Sequence, residues 1–264
     1  MFVDTHTHFY DQWLLPDAEA AIQRALEAGV GKMIQADVDS AERPRMWEIG
    51  LRHPGVLFQM LGLYPGSVTA ANWKEELDAV YRIAAGDSLA SLGMTGIVAI
   101  GEIGLDYHEG KEFAREQKEV LRLQFELAAK LNLPVNIHLR DAWEDFFAVL
   151  EDCRHLHLRG NLHCFSGSFE VYERANRSGD FAVGIGGVLT FKNASLPAVV
   201  ARIPLEHLLL ETDAPYLAPV PYRGKRNESA YLPLIAARLA EVKGLSLKEI
   251  ETITTDNAIR LFNL

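Results

Sequence analysis

The sequence Phe2-Val3-Asp4-Thr5-His6-Thr7-His8 begins with two apolar residues and ends with two histidines that are separated by one residue. In an extended strand the side chains of residues i and i+2 point to the same face, so the imidazoles of His6 and His8 can converge on one point. If the strand belongs to an α/β barrel or to an open sheet, that point lies at its carboxyl end, where the active sites of these folds are found. The stretch therefore predicts an N-terminal strand that carries candidate ligands of a polar site.

The composition is that of a globular protein with a sizeable core, since 48% of the 264 residues are hydrophobic and 23% are charged. No apolar run approaches the ~20 residues that span a bilayer, and the N-terminus lacks the pattern of a signal peptide. The two cysteines, Cys153 and Cys164, are too few for a disulfide scaffold. We therefore expect a cytoplasmic protein that has no membrane association.

The formal net charge of −10 restricts the ways in which the chain can contact nucleic acid. A protein that binds through non-specific phosphate contacts is normally basic. Any such contact in this chain must therefore be local, or must be supported by bound cations.

Eight short apolar, β-branched segments can be read along the chain, and most are followed by a helical pattern. The predicted strands cover residues 2–6, 32–36, 56–61, 97–101, 135–138, 160–164, 181–185 and 208–211. These are continuous runs rather than alternating ones, as expected for parallel strands buried on both faces. Eight strand–helix units without a linker predict a single (β/α)8 TIM barrel over residues 1–264. A doubly wound open sheet is the competing architecture, but its glycine-rich turn after the first strand is missing.

The helices between the predicted strands carry recognisable signals. The longest helix is predicted over residues 112–131, and its apolar stripe consists of Val120, Leu121, Gln124, Phe125 and Ala128. Asp141 and Glu144 have the spacing of a capping box, and Ser168 is a predicted N-cap. The last part of the chain is predicted to form helices over residues 231–243, 247–252 and 256–262.

Polar side chains follow five of the predicted strands, at the end where a barrel places its catalytic groups. These candidate ligands are His6, His8, Glu102, His138, His163 and Asp213. Imidazoles and carboxylates match the preferences of Zn²⁺, Mn²⁺ and related divalent ions, whereas burying so many polar groups without an ion would cost several kcal/mol. Six ligands exceed the needs of one tetrahedral site. With Glu102 placed to bridge, the sequence predicts two metals about 3.5–4 Å apart.

The chain resembles the TatD family of metal-dependent deoxyribonucleases, within the amidohydrolase-like metal-dependent hydrolases. The resemblance covers essentially the whole chain and rests on the motifs Asp4-Thr-His6-Thr-His8, Gly101-Glu102-Ile-Gly-Leu-Asp106-Tyr107, Ile137-His138-Leu-Arg140, His163-Cys-Phe-Ser-Gly167, Glu211-Thr-Asp213-Ala-Pro215 and Arg223-Gly-Lys-Arg226-Asn227-Glu228. It implies that His6, His8 and Asp213 surround one metal. It also implies that His138 and His163 surround a second metal, with Glu102 shared between the two.

The resemblance implies a reaction as well as a ligand set. We expect hydrolysis of DNA phosphodiesters by a metal-activated water, in a 3′-end exonuclease or a repair-type enzyme, with two Mg, Mn or Zn ions. The expected substrate is single-stranded DNA or a 3′ end, and no obligate protein partner is predicted. Asp213 is the candidate to orient the water and accept its proton, and Glu102 is the shared catalytic carboxylate.

Other residues are candidates for contacts around this centre. Loops after the last two strands of TIM barrels often bind phosphate, which makes the basic residues Arg223, Lys225 and Arg226 candidate phosphate contacts. Arg140 shares the strand face of His138 and is a fourth candidate. Asp106 and Glu211 are expected to orient metal ligands. Cys164 should alternate to the face opposite His163, so we expect it to pack in the interior.

One position departs from the family pattern. The family commonly has a Gly-x-His-Pro motif after strand three, whereas this chain reads Gly62-Leu63-Tyr64-Pro65-Gly66. The Tyr64 hydroxyl can keep a hydrogen bond, but it cannot replace the proton chemistry of an imidazole. We therefore expect an altered substrate preference or a lower nuclease activity.

Alternative functions remain open at this stage. A metal-dependent ester or amide hydrolase, such as an aminoacyl-tRNA deacylase, would use the same metal centre. A catalytically silent metal-binding scaffold would keep the fold, although the complete ligand set argues against it. A phosphoesterase of the polymerase-and-histidinol-phosphatase type also begins with a His-x-His strand. Enzymes of that type generally gather more histidines, for three metals.

Overall fold

The computed structural model describes residues 1–86 and 96–264, and it has the predicted (β/α)8 architecture. The strands are β1 (Phe2–Thr7), β2 (Val30–Gln35), β3 (Leu57–Leu61), β4 (Ile97–Asp106), β5 (Val135–Arg140), β6 (Arg159–Leu162), β7 (Asp180–Ile185) and β8 (Leu208–Leu210). Each strand pairs in parallel with the next one along the chain, from β1 to β8. All carboxyl ends therefore lie at one end of the barrel.

Helices alternate with these strands and cover the outside of the sheet. They are α1 (Ala18–Glu27), α2 (Arg43–Arg52), α3 (Trp73–Ala84), α4 (Ala114–Leu131), α5 (Trp143–Asp152), α6 (Phe169–Ala175), α7 (Leu196–Arg202), α8 (Leu232–Lys243) and α9 (Leu247–Phe262). Within the described ranges, no helix combines the length and the apolar character that crossing a lipid bilayer requires.

The first and last strands meet and close the sheet into a barrel. The backbone N–H of Asp213 donates to the carbonyl of His6 over 2.9 Å, and that of His8 donates to the carbonyl of Ala214 over 2.8 Å. Thr7 and Ala214 form a parallel bridge at the same place. This closure excludes the open doubly wound sheet.

Asp4 reinforces that junction from within the first strand. Its buried carboxylate accepts the backbone N–H of Thr212 over 2.9 Å and the hydroxyl of Thr212 over 2.6 Å. Burial raises the pKa of Asp4 to about 6, although these hydrogen bonds oppose the rise. The aspartate of the opening motif therefore joins β1 to the segment after β8.

The predicted stripe of α4 is confirmed, because its apolar members are buried against the barrel. A fully buried side chain such as Phe125 contributes about 1.5–3 kcal/mol relative to an exposed one. Gln124 is the polar member of the stripe. Its side chain bonds both the N–H of Leu63, over 2.7 Å, and the carbonyl of Leu63, over 3.2 Å. Helix α4 thus fixes the loop that carries Tyr64.

Two helix predictions are wrong in their details. Residues 247–262 form one helix, capped by Ser246 and Glu249, because its buried face continues through Thr254, whose hydroxyl bonds the Ile250 carbonyl over 2.8 Å. The Asp141 capping box is absent, since α5 begins after Ala142 without a side-chain cap. The predicted cap at Ser168 is confirmed by its bond from the Val171 N–H.

Candidate active site

The six predicted ligands all lie together at the carboxyl end of the barrel. Five of them, all except His6, line a cavity of about 920 Å³, and His6 is fully buried directly beneath it. The cavity also contacts Tyr10, Asp11, Gln12, Val38, Glu42, Arg45, Tyr64, Leu139, Arg140, Cys164, Ser166, Val188, Tyr216 and Leu217. Its volume is in the range that accommodates small ligands. The strand-end pattern therefore identified one convergent site.

Glu102 lies at the centre of the cluster, and its two oxygens face different histidine pairs. Oε2 is 3.3 Å from Nε2 of His6 and 3.7 Å from Nε2 of His8. Oε1 is 2.9 Å from Nδ1 of His138 and 3.9 Å from Nε2 of His163. Burial opposes ionisation, but the neighbouring His6 and His138 hold the pKa of Glu102 well below its usual value. A carboxylate in this position can bind two cations at once.

His6 and His8 are held with the same ring nitrogen toward the centre. Nδ1 of His6 donates to Oδ1 of Asn136 over 2.9 Å. The hydroxyl of Tyr10 donates to the Ala36 carbonyl over 2.5 Å, so it accepts a hydrogen bond from Nδ1 of His8 over 2.9 Å. Hydrogen bonds of this kind fix the tautomer of a metal-binding histidine and leave Nε2 with a free lone pair.

The resulting arrangement of two ring nitrogens and one carboxylate is suited to binding a cation. The Nε2 atoms of His6 and His8 are 3.0 Å apart, and both present lone pairs there. Burial lowers the pKa of His6, so the His6 ring does not gain a second proton at this point. Oδ1 of Asp213 is 3.8 Å from the first nitrogen and 3.6 Å from the second. Two imidazoles and one carboxylate at such distances fit a divalent metal ion.

His163 lies between the two halves of the cluster. Its ring stacks on that of His6, with 3.4 Å between the ring centroids. Nδ1 is 2.8 Å from the Glu211 carboxylate, while Nε2 is 3.6 Å from Asp213. The structure thus brings His163 close to Asp213 as well as to Glu102, whereas the resemblance groups it with His138 and Glu102. Glu211 lies where it can orient this ring.

His138 sits on the other side of Glu102 and has a different environment. Its Nε2 is 2.9 Å from Oδ2 of Asp106, which also accepts the hydroxyl of Tyr64 over 3.2 Å. The Tyr64 ring meets the His138 ring edge to face, with 5.0 Å between centroids. Asp106 and Tyr64 therefore contact His138 directly. Tyr64 occupies the position at which the family pattern has histidine.

The carboxylates of the cluster leave protons on two histidines. Burial disfavours charge on His163, but Glu211 and Asp213 outweigh that effect and raise its pKa to about 10. Hydrogen bonds to Asp106 and Glu102 likewise overcome burial and raise the pKa of His138 to about 9. These two protons balance negative charge that divalent cations would otherwise balance.

Asp213 and Cys164 share an unusual backbone conformation, with φ angles of 57° and 45°. The left-handed region costs a residue other than glycine roughly 1–2 kcal/mol, and such strain is concentrated at functional sites. Asp213 is ionised despite its burial, because His163, His8 and His6 lower its pKa. The turn directs this carboxylate toward all three imidazoles.

The expectation that Cys164 packs in the interior is wrong. Strand β6 ends at Leu162, and the left-handed turn at Cys164 breaks the alternation of faces on which the expectation rested. Cys164 lines the cavity, and its sulfur forms a group with the ligand atoms of His163 and Asp213 in which all atoms lie within 4.8 Å of one another.

The predicted basic cluster does not line the cavity. Arg226 lies within hydrogen-bonding distance of the carboxylates of Asp17 and Glu228, and it also donates to the Trp13 carbonyl over 3.0 Å. Arg223 stacks on the ring of Phe191, at 4.5 Å. The Arg226 guanidinium is thus already held by these partners, outside the cavity wall.

Arg140 is the predicted basic residue that does line the cavity. Its exposed side chain has no carboxylate partner among residues 1–86 and 96–264. Lys225 is exposed outside the cavity wall. Of the four candidate phosphate contacts, Arg140 is the one placed beside the ligand cluster.

Sequence reasoning missed several residues that hold or surround the cluster. Asn136 and Tyr10 orient His6 and His8, while Arg45 and Tyr216 line the cavity. Asn136 was detectable as a polar residue in an apolar strand, two positions before His138. Tyr10 lies two residues beyond His8, in a segment without a strand pattern, and gave no comparable signal.

Comparisons with known proteins agree with this geometry. The family model described as TatD related DNase matches residues 3–263. The metal-dependent hydrolase YabD of Bacillus subtilis is 39% identical over the full length of both chains. The 3′-5′ ssDNA/RNA exonuclease TatD of Erwinia tasmaniensis is 34% identical over 94% of both chains. The crystal structure of YJJV, a TatD homolog from Escherichia coli, has a TM-score of 0.86 at 30% identity and covers 100% of this chain and 98% of its own. The chain belongs to the TatD-related DNase family of metal-dependent hydrolases.

Proposed function

We propose that this protein is a metal-dependent nuclease that hydrolyses phosphodiester bonds at the 3′ ends of single-stranded DNA. The observation that carries the proposal is the position of Glu102, whose two oxygens face two separate histidine pairs at the floor of an open cavity. Two-metal sites with a shared carboxylate are typical of phosphoryl-transfer hydrolases. The Erwinia relative is named as an ssDNA/RNA exonuclease, which supports the choice of nucleic acid as substrate.

The metal ions would be held by His6, His8 and Asp213 on one side and by His138 and His163 on the other, with Glu102 between them. Divalent cations in such a site lower the pKa of water and neutralise charge on the phosphate oxygens. That contribution matters in a chain of net charge −10, which would otherwise repel a polyanion. Mg²⁺, Mn²⁺ and Zn²⁺ are the ions to test.

The chain's own residues supply the remaining functions. Asp213 is ionised and directed into the cavity, so its carboxylate can orient a water molecule and accept its proton. Arg140, at the rim of the cavity, can pair with a phosphate oxygen. The Tyr64 hydroxyl keeps its proton, since burial raises its pKa, and it can donate a hydrogen bond but cannot act as a base.

The test compares substrates on one purified protein with Mg²⁺, Mn²⁺ or Zn²⁺ added. End-labelled single-stranded DNA, the matching duplex, abasic-site DNA and aminoacyl-tRNA are incubated in parallel. We expect shortening of the single strand from its 3′ end, with slower cleavage of the duplex. Cleavage of the aminoacyl ester alone would show that the protein is a deacylase and not a nuclease. Metal binding without any hydrolysis would support the scaffold alternative.

Tyr64 provides a second test of the same proposal. Because the resemblance places a histidine here, we expect the Tyr64→His variant to hydrolyse DNA faster than the natural chain. Tyr81→His is the control, since Tyr81 bonds the Leu123 carbonyl on the outer helices. A lower rate in Tyr64→His would assign the tyrosine a positive role in this chain's own reaction.

A further inference from the structure

Cys164 occupies a position that the six-ligand description leaves without a role. Its sulfur lies with the ligand atoms of His163 and Asp213 in a group whose members are all within 4.8 Å of one another. This trio shares Asp213 with the group formed by His6 and His8, but it approaches the carboxylate from the β6 side of the barrel. The cysteine sulfur therefore borders the ligand cluster.

The surroundings of Cys164 hold it in this position. Its backbone has a φ of 45°, and its N–H donates to the carboxylate of Glu211. The same Glu211 oxygen is 2.8 Å from Nδ1 of His163. One buried carboxylate thus positions both neighbours. The backbone strain is of the kind that persists only where surrounding contacts enforce it.

A second observation concerns the imidazole that precedes Cys164 in the chain. The His163 side chain is 2% exposed, its buried Nδ1 lacks a hydrogen-bond partner of acceptable geometry within the described part of the chain, and its other ring nitrogen is Nε2. The nearest carboxylate oxygens to this nitrogen belong to Asp213, at 3.6 Å, and to Glu102, at 3.9 Å. An imidazole, the Asp213 carboxylate and the Cys164 sulfur therefore lie within reach of one shared cation.

We propose that Cys164 is a thiolate ligand of the metal held by His163, on the side of that metal facing Asp213, and that it makes the centre select Zn²⁺ over Mg²⁺ and Mn²⁺. Thiolate ligands favour zinc, whereas sites built of carboxylates and water suit the harder ions. Forming the sulfur–metal bond releases the thiol proton to solvent and transfers no electrons. This inference rests on the proposed function, because it concerns the same metal centre.

Cobalt provides the direct test, because a sulfur–Co²⁺ bond gives a charge-transfer band in the near ultraviolet. The purified full chain is depleted of metal, reconstituted with Co²⁺ and measured by absorption spectroscopy. We expect the band in the natural protein and its loss in Cys164→Ser and Cys164→Ala. Cys153→Ser is the matched control, because Cys153 is the other free cysteine and lies at the end of α5.

Metal affinities give a second readout that does not depend on activity. Titration calorimetry of the metal-free proteins should show Zn²⁺ binding weakened at least about tenfold in Cys164→Ser. Mn²⁺ binding should change less than threefold, and Cys153→Ser should match the natural protein for both ions. Circular dichroism of the metal-free variants verifies that they fold.

The outcomes separate this inference from the proposed function. A natural protein that binds none of Co²⁺, Zn²⁺, Mn²⁺ and Mg²⁺ would overturn both, and one that binds only Mn²⁺ or Mg²⁺ would overturn this inference alone. A cobalt-loaded natural protein without the charge-transfer band, or a band that persists in Cys164→Ser, overturns only the role of the sulfur. Equal losses of Zn²⁺ and Mn²⁺ affinity in Cys164→Ser also overturn the selectivity, since they indicate a packing role.

Discussion

The two sides of the ligand cluster are held in different ways. On the β1 side, His6 and His8 donate hydrogen bonds from Nδ1 to the uncharged oxygens of Asn136 and Tyr10. Their Nε2 lone pairs face each other. On the β4–β5 side, His138 lies between two carboxylates and keeps a proton, since these hydrogen bonds raise its pKa to about 9. The β1 side is thus arranged for a cation before one binds. On the β4–β5 side, the proton on His138 offsets the negative charge of the two neighbouring carboxylates.

This difference concerns metal loading. A cation that binds between His6 and His8 meets nitrogens that are already free. A cation that binds beside His138 must first displace a proton, so its binding is weaker at low pH. Glu102 contacts both sides, and therefore the first cation alters the charge that the second encounters. We expect the two ions to bind with unequal affinity and unequal pH dependence.

The largest effect is expected from removing the negative charge of Glu102, the carboxylate that contacts both sides of the cluster. Glu102→Gln should lower hydrolysis roughly 1000-fold, because electrostatic stabilisation is the dominant catalytic contribution in sites of this kind. Elemental analysis should show loss of metal at the same time. Glu109→Gln is the matched control, with its side chain 97% exposed. Full metal content in Glu102→Gln would rule out a bridging role.

The orienting groups allow each side to be weakened separately. Tyr10→Phe and Asp106→Asn should each lower metal affinity about 10–100-fold, because hydrogen bonds to ligating histidines fix the ring orientation. Only Asp106→Asn should also lower the pKa of His138. Calorimetry measures the affinities, and NMR titration follows the His138 ring protons.

A control for the tyrosine change exists elsewhere in the barrel. Tyr172 and His207 form a similar pair outside the cluster, with the hydroxyl 2.6 Å from Nδ1. Tyr172→Phe should leave metal affinity unchanged. If it weakened binding as much as Tyr10→Phe, the effect would reflect general destabilisation of the fold.

The pH dependence of stability should distinguish the metal-free protein from the metal-loaded one. The pKa values of His138 and His163 are raised to about 9 and about 10 in the fold, above the ordinary value of 6.5. Their protonation therefore stabilises the metal-free fold below about pH 6.5, and this stabilisation is lost as pH rises toward 10.

Thermal denaturation of the protein with and without chelator, from pH 6.5 to 10, measures this effect. We expect the melting temperature to fall by several degrees more in the metal-free protein, since about 1 kcal/mol corresponds to roughly 2–4 °C in a chain of this size. If the plots of melting temperature against pH were parallel with and without chelator, His138 and His163 would be neutral in the metal-free protein. The comparison of the two forms cancels the titration of lysines and tyrosines elsewhere.

The smallest effects separate the two arginines that the sequence treated alike. Arg140→Ala should raise KM about tenfold and leave the melting temperature unchanged, since a charge-assisted hydrogen bond contributes about 1.5–3 kcal/mol. Arg226→Ala should leave KM unchanged and cost about 1 kcal/mol of stability through its ion pairs with Asp17 and Glu228. The reverse pattern would restore Arg226 as a substrate contact.

The sequence predicted the features that strand geometry determines. Parallel strands place their carboxyl ends together, so the positions of His6, Glu102, His138 and Asp213 followed from the strand pattern alone. The buried stripe of α4 was predictable for the same reason, because helical periodicity selects one face. In both cases a regular backbone links spacing along the chain to position in space.

The parts that sequence could not supply depend on distant partners or on irregular backbone. Nothing near Arg226 in the sequence indicates that α1 places Asp17 beside it. The turn at Cys164 reverses its expected face, and alternation gives no warning of a left-handed residue. The tautomers of His6 and His8 depend on Asn136 and Tyr10, which only the folded chain brings into contact.

The junction of β1 with β8 has a consequence for the order of events during synthesis. Asp4 and Thr212 are 208 positions apart, so β1 leaves the ribosome long before its partner is made. Loop-closure entropy grows only with the logarithm of loop length, so this separation costs little stability, but contacts between distant residues slow folding. A nascent chain without residues 208–214 lacks Asp213 and cannot complete the site around His6 and His8. Metal uptake between His6 and His8 in a growing chain would therefore mark the moment at which the barrel closes.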